Sequence, residues 1–289
     1  MLATLATKAA TPGASNFDWA GATANGFAVV LDGLTESGEP ACVHGTAWYV
    51  HQLGSRLLAL AGGEPPSPVL GNPSPSTRPG GELPLEVVLA TAITDVTGSH
   101  AETCRPAAPN APGATVAMLR LRGTVAEYLV LSDAVLVMDA DGGPLVVTDS
   151  SVLRHTPELI GTTAGTAGTA AAAGTDGGAA LDALIQQQQR IRNQPGGYWI
   201  AQADPQAARH AHTGTAEGIR GALLLSDGAA LLVTDFAALS WRELLDLGYE
   251  AGPHGIITAT RELEERDPDG AVWPRYKRHD DATVIVCRP

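Results

Sequence analysis

Short apolar runs that end in Asp, Gly or Ser alternate along the chain with longer segments of helical periodicity. The run "GFAVVLDGL" (26–34) is almost continuously apolar and ends in Asp-Gly, so it predicts a buried strand that leads into a turn. The segments 42–61 and 83–104 carry apolar residues at helical spacing and predict two helices.

The second half of the chain predicts more strands, followed by helices and a last strand. Four short runs separated by Gly-Thr, Ser-Asp and Gly-Gly predict an antiparallel meander over 114–123, 125–133, 134–143 and 144–151. Beyond them the pattern predicts a short helix within 181–193 and a strand pair around Asp227 within 223–233. Two helices within 238–267 and a final strand within 281–289 follow. Helices and strands that come in blocks favour an antiparallel α+β layered fold.

Two stretches are poor in the apolar residues that a core requires. Residues 62–82 are rich in Pro, Gly and Ser and predict an irregular loop. The tract "GTTAGTAGTAAAAGTDGG" (161–178) has too little apolar surface to offset the entropy of ordering, so it predicts a flexible insertion. No linker separates two self-sufficient halves, and the sequence therefore predicts one domain, residues 1–289, that carries this insertion.

Charge and cysteine content narrow the range of partners and compartments. A formal net charge of −13 argues against binding to nucleic acid or to an anionic membrane, because either would require a basic patch. The N-terminal residues lack the apolar stretch of a signal peptide, and no run approaches the roughly 20 residues of a membrane-spanning helix. The three cysteines, Cys42, Cys104 and Cys287, are widely spaced and predict free thiols in a reducing compartment. We therefore expect a cytoplasmic protein.

The candidate chemistry lies in aspartates beside apolar strands. Asp32 and Asp227 each precede a glycine at the end of such a run, Asp280 and Asp281 precede the last run, and Asp18 precedes the first. Carboxylates that converge stay ionised most easily around cations, and hard oxygen ligands select Mg²⁺ or Mn²⁺. Two such ions can activate water and polarise a phosphoryl oxygen. A single Asp-Gly after a strand more often marks a turn, and composition alone leaves both interpretations open.

The order of these motifs resembles a known family. The succession "SNFDWAG", "VVLDGLT", "GATVAML", "LVLSDAVLVM", "VVTDSS", "LLLSDGAA" and "HDDATVIV" is similar to that of the metal-dependent serine/threonine protein phosphatases of type 2C, in their bacterial form, over residues from about 13 to 289. The resemblance implies a central sandwich of two antiparallel sheets flanked by helices on both outer faces. It also implies hydrolysis of phosphoserine and phosphothreonine in proteins, in opposition to a serine/threonine kinase.

The resemblance further implies a set of metal ligands for two Mn²⁺ or Mg²⁺ ions and a weaker third. By position, Asp32 would bridge the first two ions and the backbone carbonyl of Gly33 would complete the first site. Asp227 and Asp280 would hold the second ion. Asp133 would contact the third ion, although the residues on either side of it differ from the family motif.

The groups expected to assist the metals match the family less well. Asp18 occupies the final acidic position of the family's Asn-Glu-Asp motif and would orient metal-bound water as a catalytic group, but Phe17 replaces the glutamate before it. Residues 11–15, "TPGAS", lack the arginine that grips the substrate phosphate, and Leu34 replaces a histidine that can follow Asp-Gly. The segment "WPRYKRHDD" (273–281) contains the cations Arg275, Lys277 and Arg278. They are either surface charges or residues that bind the substrate phosphate in place of the missing arginine.

Two functions from different classes therefore remain. In the first, the protein is a phosphatase in which metal-activated water attacks phosphorus directly, with no covalent intermediate. In the second, it is a catalytically weak relative that binds phosphoproteins or regulates signalling. The intact aspartates at 32, 227 and 280 favour the first, whereas Phe17 and the missing arginine favour the second.

Overall fold

Two five-stranded antiparallel sheets form the centre of the molecule. The computed structural model describes residues 1–63, 82–151, 177–275 and 277–289. The first sheet has the strand order β1-β10-β9-β6-β7 and the second β2-β3-β4-β5-β8. Their bounds are β1 Leu2–Lys8, β2 Trp19–Ala22, β3 Phe27–Gly33, β4 Ala114–Arg122, β5 Val125–Leu131, β6 Val135–Ala140, β7 Gly143–Val147, β8 His212–Ala216, β9 Ala222–Leu225 and β10 Ala282–Arg288.

Helices cover the outer face of each sheet. Helices α1 and α2 pack on the second sheet, α4 and α5 pack on the first, and α3 and a short 3-10 helix lie in the connection between β7 and β8. Their bounds are α1 Gly45–Ala61, α2 Leu85–His100, α3 Gly177–Ile191, the 3-10 helix Pro205–His210, α4 Asp227–Thr234 and α5 Trp241–Arg266. Helix α5 bends at Gly252, whose φ is 70°, and so consists of the two helical parts that the sequence predicts.

The pattern of β3 explains how the layers pack. Its alternate residues Val29 and Leu31 contact the helices of the second sheet, while Ala28 and Val30 face the first sheet. All four are fully buried, because a strand in the middle of a layered structure has no face toward water. The expected α+β sandwich with helices on both outer faces is confirmed.

Two details of the predicted strand pattern are wrong. The residues after Asp227 form α4 and not a second strand, since Ser226 takes the extended conformation typical of an N-cap and the small residues that follow allow close packing. A Cβ atom at Gly228 would come within 2.1 Å of the carbonyl oxygen of Asp281. The predicted meander is also split between the sheets, because Ser132, with a φ of 65°, turns the chain from β5 into β6.

Other predictions were incomplete or fall outside the described residues. The sequence did not predict β1, an edge strand in which Leu2 and Leu5 are 65% and 44% exposed. The expected insertion at 161–178 lies outside the described residues except for 177 and 178, which begin α3, and most of the predicted loop at 62–82 lies outside them as well. The single-domain organisation stays a prediction. In the described part of the chain, no helix combines the length and apolar character needed to cross a bilayer.

Candidate active site

Four of the five aspartates with predicted roles line one open cleft with a volume of about 430 Å³. They are Asp32 near the end of β3, Asp133 between β5 and β6, Asp227 at the start of α4 and Asp280 just before β10. These residues come from both sheets and from distant parts of the sequence. The fold therefore brings together four of the carboxylates that the sequence indicates, whereas Asp18 and Asp281 do not line the cleft.

Asp32 and Gly33 are positioned by backbone contacts across the cleft floor. The Oδ2 atom of Asp32 accepts a hydrogen bond of 3.3 Å from the backbone N–H of Asp227, at the N-terminus of α4. A helix N-terminus favours a nearby negative charge. Gly33 donates its N–H to the carbonyl oxygen of Phe17 at 3.0 Å, and a Cβ atom there would approach that oxygen to 2.3 Å. Only glycine fits at this position, which supports the close contact between β3 and the segment before β2.

The cleft raises the pKa values of three of its aspartates, Asp32, Asp133 and Asp227. Burial raises the pKa of Asp32 well above its ordinary value, and the charges of Asp227 and Asp18 raise it further. Burial is also the main cause that raises the pKa of Asp133. Although the Asp227 side chain is open to the cleft, the surrounding protein removes part of its hydration, and with the charges of Asp280 and Asp133 this raises its pKa to about 7. The ionised carboxylates therefore need additional positive charge.

Asp18 does not line the cleft, but it is close enough to interact with the charges of Asp32 and Asp227. Its side chain is 6% exposed, and burial raises its pKa well above the ordinary value, while hydrogen bonds from Ser226 and Thr283 oppose that rise. Its buried Oδ2 atom has no hydrogen-bond partner among the described residues. A buried carboxylate oxygen without a donor is costly, and it leaves one acceptor available to water or another bound group.

Asp281 is a structural residue of the site that the sequence analysis did not assign a role. Its Oδ1 and Oδ2 atoms accept hydrogen bonds from the backbone N–H groups of Ala10 and Phe17 at 2.7 and 2.6 Å. These bonds hold the segment before Asp18 against the start of β10. Consecutive residues of an extended chain point to opposite sides, so the pair Asp280-Asp281 could have indicated one carboxylate in the cleft and one behind it.

The three cations before β10 have different partners. Arg275 binds Asp267 at 3.2 Å, and Arg278 binds Glu265 at 2.6 Å. Lys277 instead donates to Oδ1 and Oδ2 of Asp280 at 2.9 and 3.0 Å and to Oγ1 of Thr35 at 2.9 Å. Burial lowers the pKa of Lys277, but Asp280 and the other cleft aspartates outweigh this effect and raise it. Lys277 is thus the cation of this segment that is directed at the aspartates.

The structure also locates the departures from the family pattern. Phe17 is half-buried and belongs to none of the hydrophobic clusters formed by the described residues. Leu34 packs with Tyr198 and Ile200, so this position is apolar and offers no acid. Residues 11–15 are exposed, and none of them lines the cleft.

The donor set fits a hard divalent cation in its chemistry. Four aspartates line the cleft, three of them with raised pKa values, and Asp18 with its unpartnered oxygen lies nearby. Within the described ranges, no three metal-ligating side chains converge tightly enough to form a preorganised metal cluster. The carboxylate of Asp280 forms an ion pair with the ammonium group of Lys277.

Comparison with known proteins gives information about the fold. A scan against protein-family models and a search of curated proteins found no match to this sequence. The catalytic domain of the serine/threonine protein phosphatase PstP, in complex with two manganese ions, is similar with a TM-score of 0.56 and 16% identity, covering 99% of this chain and 97% of that chain.

Two further bacterial structures are similar to a comparable degree. Serine/threonine phosphatase Stp1 from Staphylococcus aureus has a TM-score of 0.56 at 14% identity, covering 99% of this chain and 94% of that chain. PppA, a regulatory component of T6SS in Pseudomonas aeruginosa, has a TM-score of 0.53 at 16% identity, covering 99% of this chain and 96% of its own. Identities this low speak to the fold alone, and the chain has the fold of the type 2C serine/threonine protein phosphatases.

Proposed function

We propose that the protein is a metal-dependent phosphatase that hydrolyses phosphoserine and phosphothreonine in proteins and so opposes a serine/threonine kinase. The observation that carries this proposal is the convergence of Asp32, Asp133, Asp227 and Asp280 in one cleft that lacks enough positive charge. The similarity of the fold to a PstP catalytic domain that binds two manganese ions supports it.

The residues of the cleft divide into those that would hold ions and those that would act beside them. Asp32 and the carbonyl oxygen of Gly33 would hold the first ion, Asp227 and Asp280 the second, and Asp133 a weaker third. Divalent ions bound there would lower the pKa of water and polarise a phosphoryl oxygen.

Asp18 would orient the attacking water. Its unpartnered Oδ2 atom is available to accept a hydrogen bond from that water. Water is the nucleophile in this proposal, as the family resemblance implies, and none of the three cysteines lines the cleft to take its place.

Lys277 would hold the phosphate of the substrate in place of the missing arginine. Its ammonium group has three donors and already lies in the cleft, on Asp280 and Thr35. A lysine binds phosphate as a point charge and lacks the bidentate geometry of arginine, so we expect weaker positioning of the substrate.

A second candidate function is a catalytically weak module that binds phosphoproteins. Phe17 favours it, because no carboxylate stands at that position to accept a hydrogen bond from bound water. In this case the cleft would recognise the phosphorylated residue without rapid hydrolysis.

Hydrolysis of p-nitrophenyl phosphate and of a phosphothreonine peptide, each with Mn²⁺ and with excess chelator, tests the two candidates. We expect turnover that requires the metal and is lost in Asp32→Asn. The matched control is Asp141→Asn, since the Asp141 side chain is 80% exposed and lies outside the cleft lining. Tight peptide binding without turnover would support the binding module, and turnover in excess chelator would contradict the metal sites.

A further inference from the structure

Lys277 donates hydrogen bonds to the carboxylate of Asp280, which the proposed function assigns to the second metal ion. Both oxygens of Asp280 accept hydrogen bonds from its ammonium group, and the third donor is directed at Thr35. The two charged side chains are about equally accessible, with exposures of 31% and 33%. The ammonium is therefore buried enough to interact strongly and open enough to move away.

The charges around Lys277 extend beyond this one pair. Asp227 and Asp32 also favour its charged form, so the ammonium lies in the field of three cleft carboxylates. The neighbouring Arg275 and Arg278 are engaged by Asp267 and Glu265 and do not share this role. Lys277 thus supplies the cleft carboxylates with a positive charge from the same segment that carries Asp280.

We propose that the Lys277 ammonium is an internal counter-cation of the second metal site. It holds Asp280 when no divalent ion is bound, and an ion that binds Asp227 and Asp280 has to displace it. A dication and an ammonium group repel each other strongly at the distance of a shared carboxylate. The inference rests on the proposed function, because it takes Asp227 and Asp280 as ligands of an ion.

This arrangement predicts two effects of opposite sign when the charge is removed. In excess chelator, Lys277→Met should lower the melting temperature, since the carboxylates lose a counter-charge. With Mn²⁺, the same variant should bind the ion of the second site at least about tenfold more tightly, since no ammonium competes for Asp280. A lysine with a structural role alone would give the first effect without the second.

Calorimetric titration with Mn²⁺ and thermal melting, in chelator and in Mn²⁺, test the inference on the full chain. Arg278→Met is the matched control, because it removes a neighbouring cation whose partner is Glu265, and its Mn²⁺ affinity should equal that of the wild type. Lys277→Gln serves as a second variant if the methionine variant does not fold.

The possible failures are distinguishable. If the wild type binds two Mn²⁺ ions and Lys277→Met binds them with equal or lower affinity, the counter-cation role is overturned while the metal sites stand. If neither protein binds Mn²⁺, the proposed function itself fails. An equal gain in affinity in Arg278→Met would show that general charge, and not the contact with Asp280, is responsible.

A separate observation concerns two cysteines outside the cleft. The Sγ atoms of Cys42, before α1, and Cys104, after α2, lie 3.1 Å apart in a thiol–thiol hydrogen bond. The segments are also joined by the N–H of Arg105, which donates to the carbonyl oxygen of Ala41 at 2.9 Å. Cys42 is buried, whereas Cys104 is partly exposed.

The two thiols differ in reactivity as well as access. Burial opposes ionisation of Cys104, but hydrogen bonds from Cys42 and from the N–H of Val43 outweigh it and lower its pKa. Burial and the hydrogen bond with Cys104 raise the pKa of Cys42. Cys104 therefore provides the thiolate that meets an oxidant, and Cys42 is the thiol beside it.

The geometry points to a Cys42–Cys104 disulfide that forms on exposure to a peroxide. The Cys104 thiolate attacks one peroxide oxygen and breaks the O–O bond, which gives a sulfenic acid and hydroxide, and the hydroxide takes up a proton. The Cys42 sulfur then attacks the sulfenic sulfur as its proton is lost, and the released hydroxide becomes water. Two thiols are oxidised to one disulfide, and one peroxide is reduced to two waters.

Peptide mass spectrometry after brief treatment with hydrogen peroxide and alkylation tests this site. We expect a Cys42–Cys104 cross-link that a dithiol reverses and that is lost in Cys104→Ser. Cys287→Ser is the matched control, because Cys287 is fully buried between the sheets and should not affect the cross-link. Overoxidation of Cys104 without a cross-link, or equal oxidation of Cys287, would overturn the assignment.

Discussion

Asp139, in β6, and the aspartates of the cleft show two ways of placing negative charge in one fold. Asp139 accepts hydrogen bonds of 2.7 Å from both Arg220 and Arg242, and although burial opposes ionisation, these partners hold its pKa below the ordinary value. In the cleft the pKa values of Asp32 and Asp227 are raised, and Lys277 forms an ion pair with the carboxylate of Asp280.

The difference separates a carboxylate that stabilises the fold from carboxylates that are available for binding. Asp139 carries its counter-charges within the chain, so its ionised form contributes to stability. The cleft carboxylates are brought together against their mutual repulsion, and raised pKa values of this kind concentrate at functional sites. Four expected outcomes test this contrast, from the largest effect to the smallest.

Asp227→Asn should lower phosphatase turnover by at least about 100-fold, because it removes an ionised ligand from the second metal site. The melting temperature in excess chelator should stay the same or rise, since the variant relieves repulsion with Asp280 and Asp133. Steady-state kinetics and thermal melting of the same preparation check both effects. Full turnover would remove Asp227 from the metal site.

Asp139→Asn should have the opposite profile. The amide replaces a carboxylate that two arginines share, and we expect the free energy of unfolding to fall by about 2 kcal/mol. Turnover of the folded protein should not change, because Asp139 lies outside the cleft lining. Urea unfolding and kinetics measure the two quantities, with Asp141→Asn as the control. Loss of turnover at full stability would contradict the contrast.

Phe17→Glu should raise turnover by about tenfold if a missing acceptor limits the reaction. The side chain is half-buried and outside the hydrophobic clusters of the described residues, so the substitution should be tolerated. Phe17→Gln, which also provides an acceptor but no charge, separates hydrogen bonding from charge. Unchanged turnover in a folded Phe17→Glu would count against this explanation and favour the binding module.

The metal-free protein should become less stable as the pH rises from about 5 to about 7. In this range the unfolded chain has already released the proton of Asp227, whose ordinary pKa is about 4, while the native state with a pKa of about 7 retains it. The stabilisation is therefore present at low pH and is lost as the pH passes through 7. Because the Asp227 side chain is exposed and solvent screens its charge, the melting temperature in chelator should fall by only a few degrees over this range, and Asp227→Asn should reduce the fall.

Much of the fold and of the candidate cleft follows from local patterns in the sequence. Strand β3 and helices α1 and α2 were predicted because their apolar residues recur at regular spacing. Asp32 and Asp227 each end an apolar run before a glycine, and the order of the motifs along the chain, more than either residue alone, indicated their roles. The helix after Asp227 was missed because a short apolar run such as "AALLV" fits a buried strand equally well.

Features that depend on distant contacts could not be predicted in this way. Three cations precede Asp280, and only the structure shows that Lys277, and not Arg275 or Arg278, is directed at it. The proximity of Cys42 and Cys104 likewise depends on the packing of α1 against α2, which their separation in the sequence does not reveal.

The pairing of β1 with β10 has a consequence for the order in which the protein assembles during synthesis. Strand β1 is an edge strand whose neighbour is β10, in register from Leu2 with Arg288 to Lys8 with Ala282. A nascent chain that lacks β10 therefore leaves β1 without its partner and the first sheet without the strand that joins β1 to β9. Asp280 and Asp281 directly precede that same strand, so the sheet and the cleft are completed together, once β10 has been synthesised.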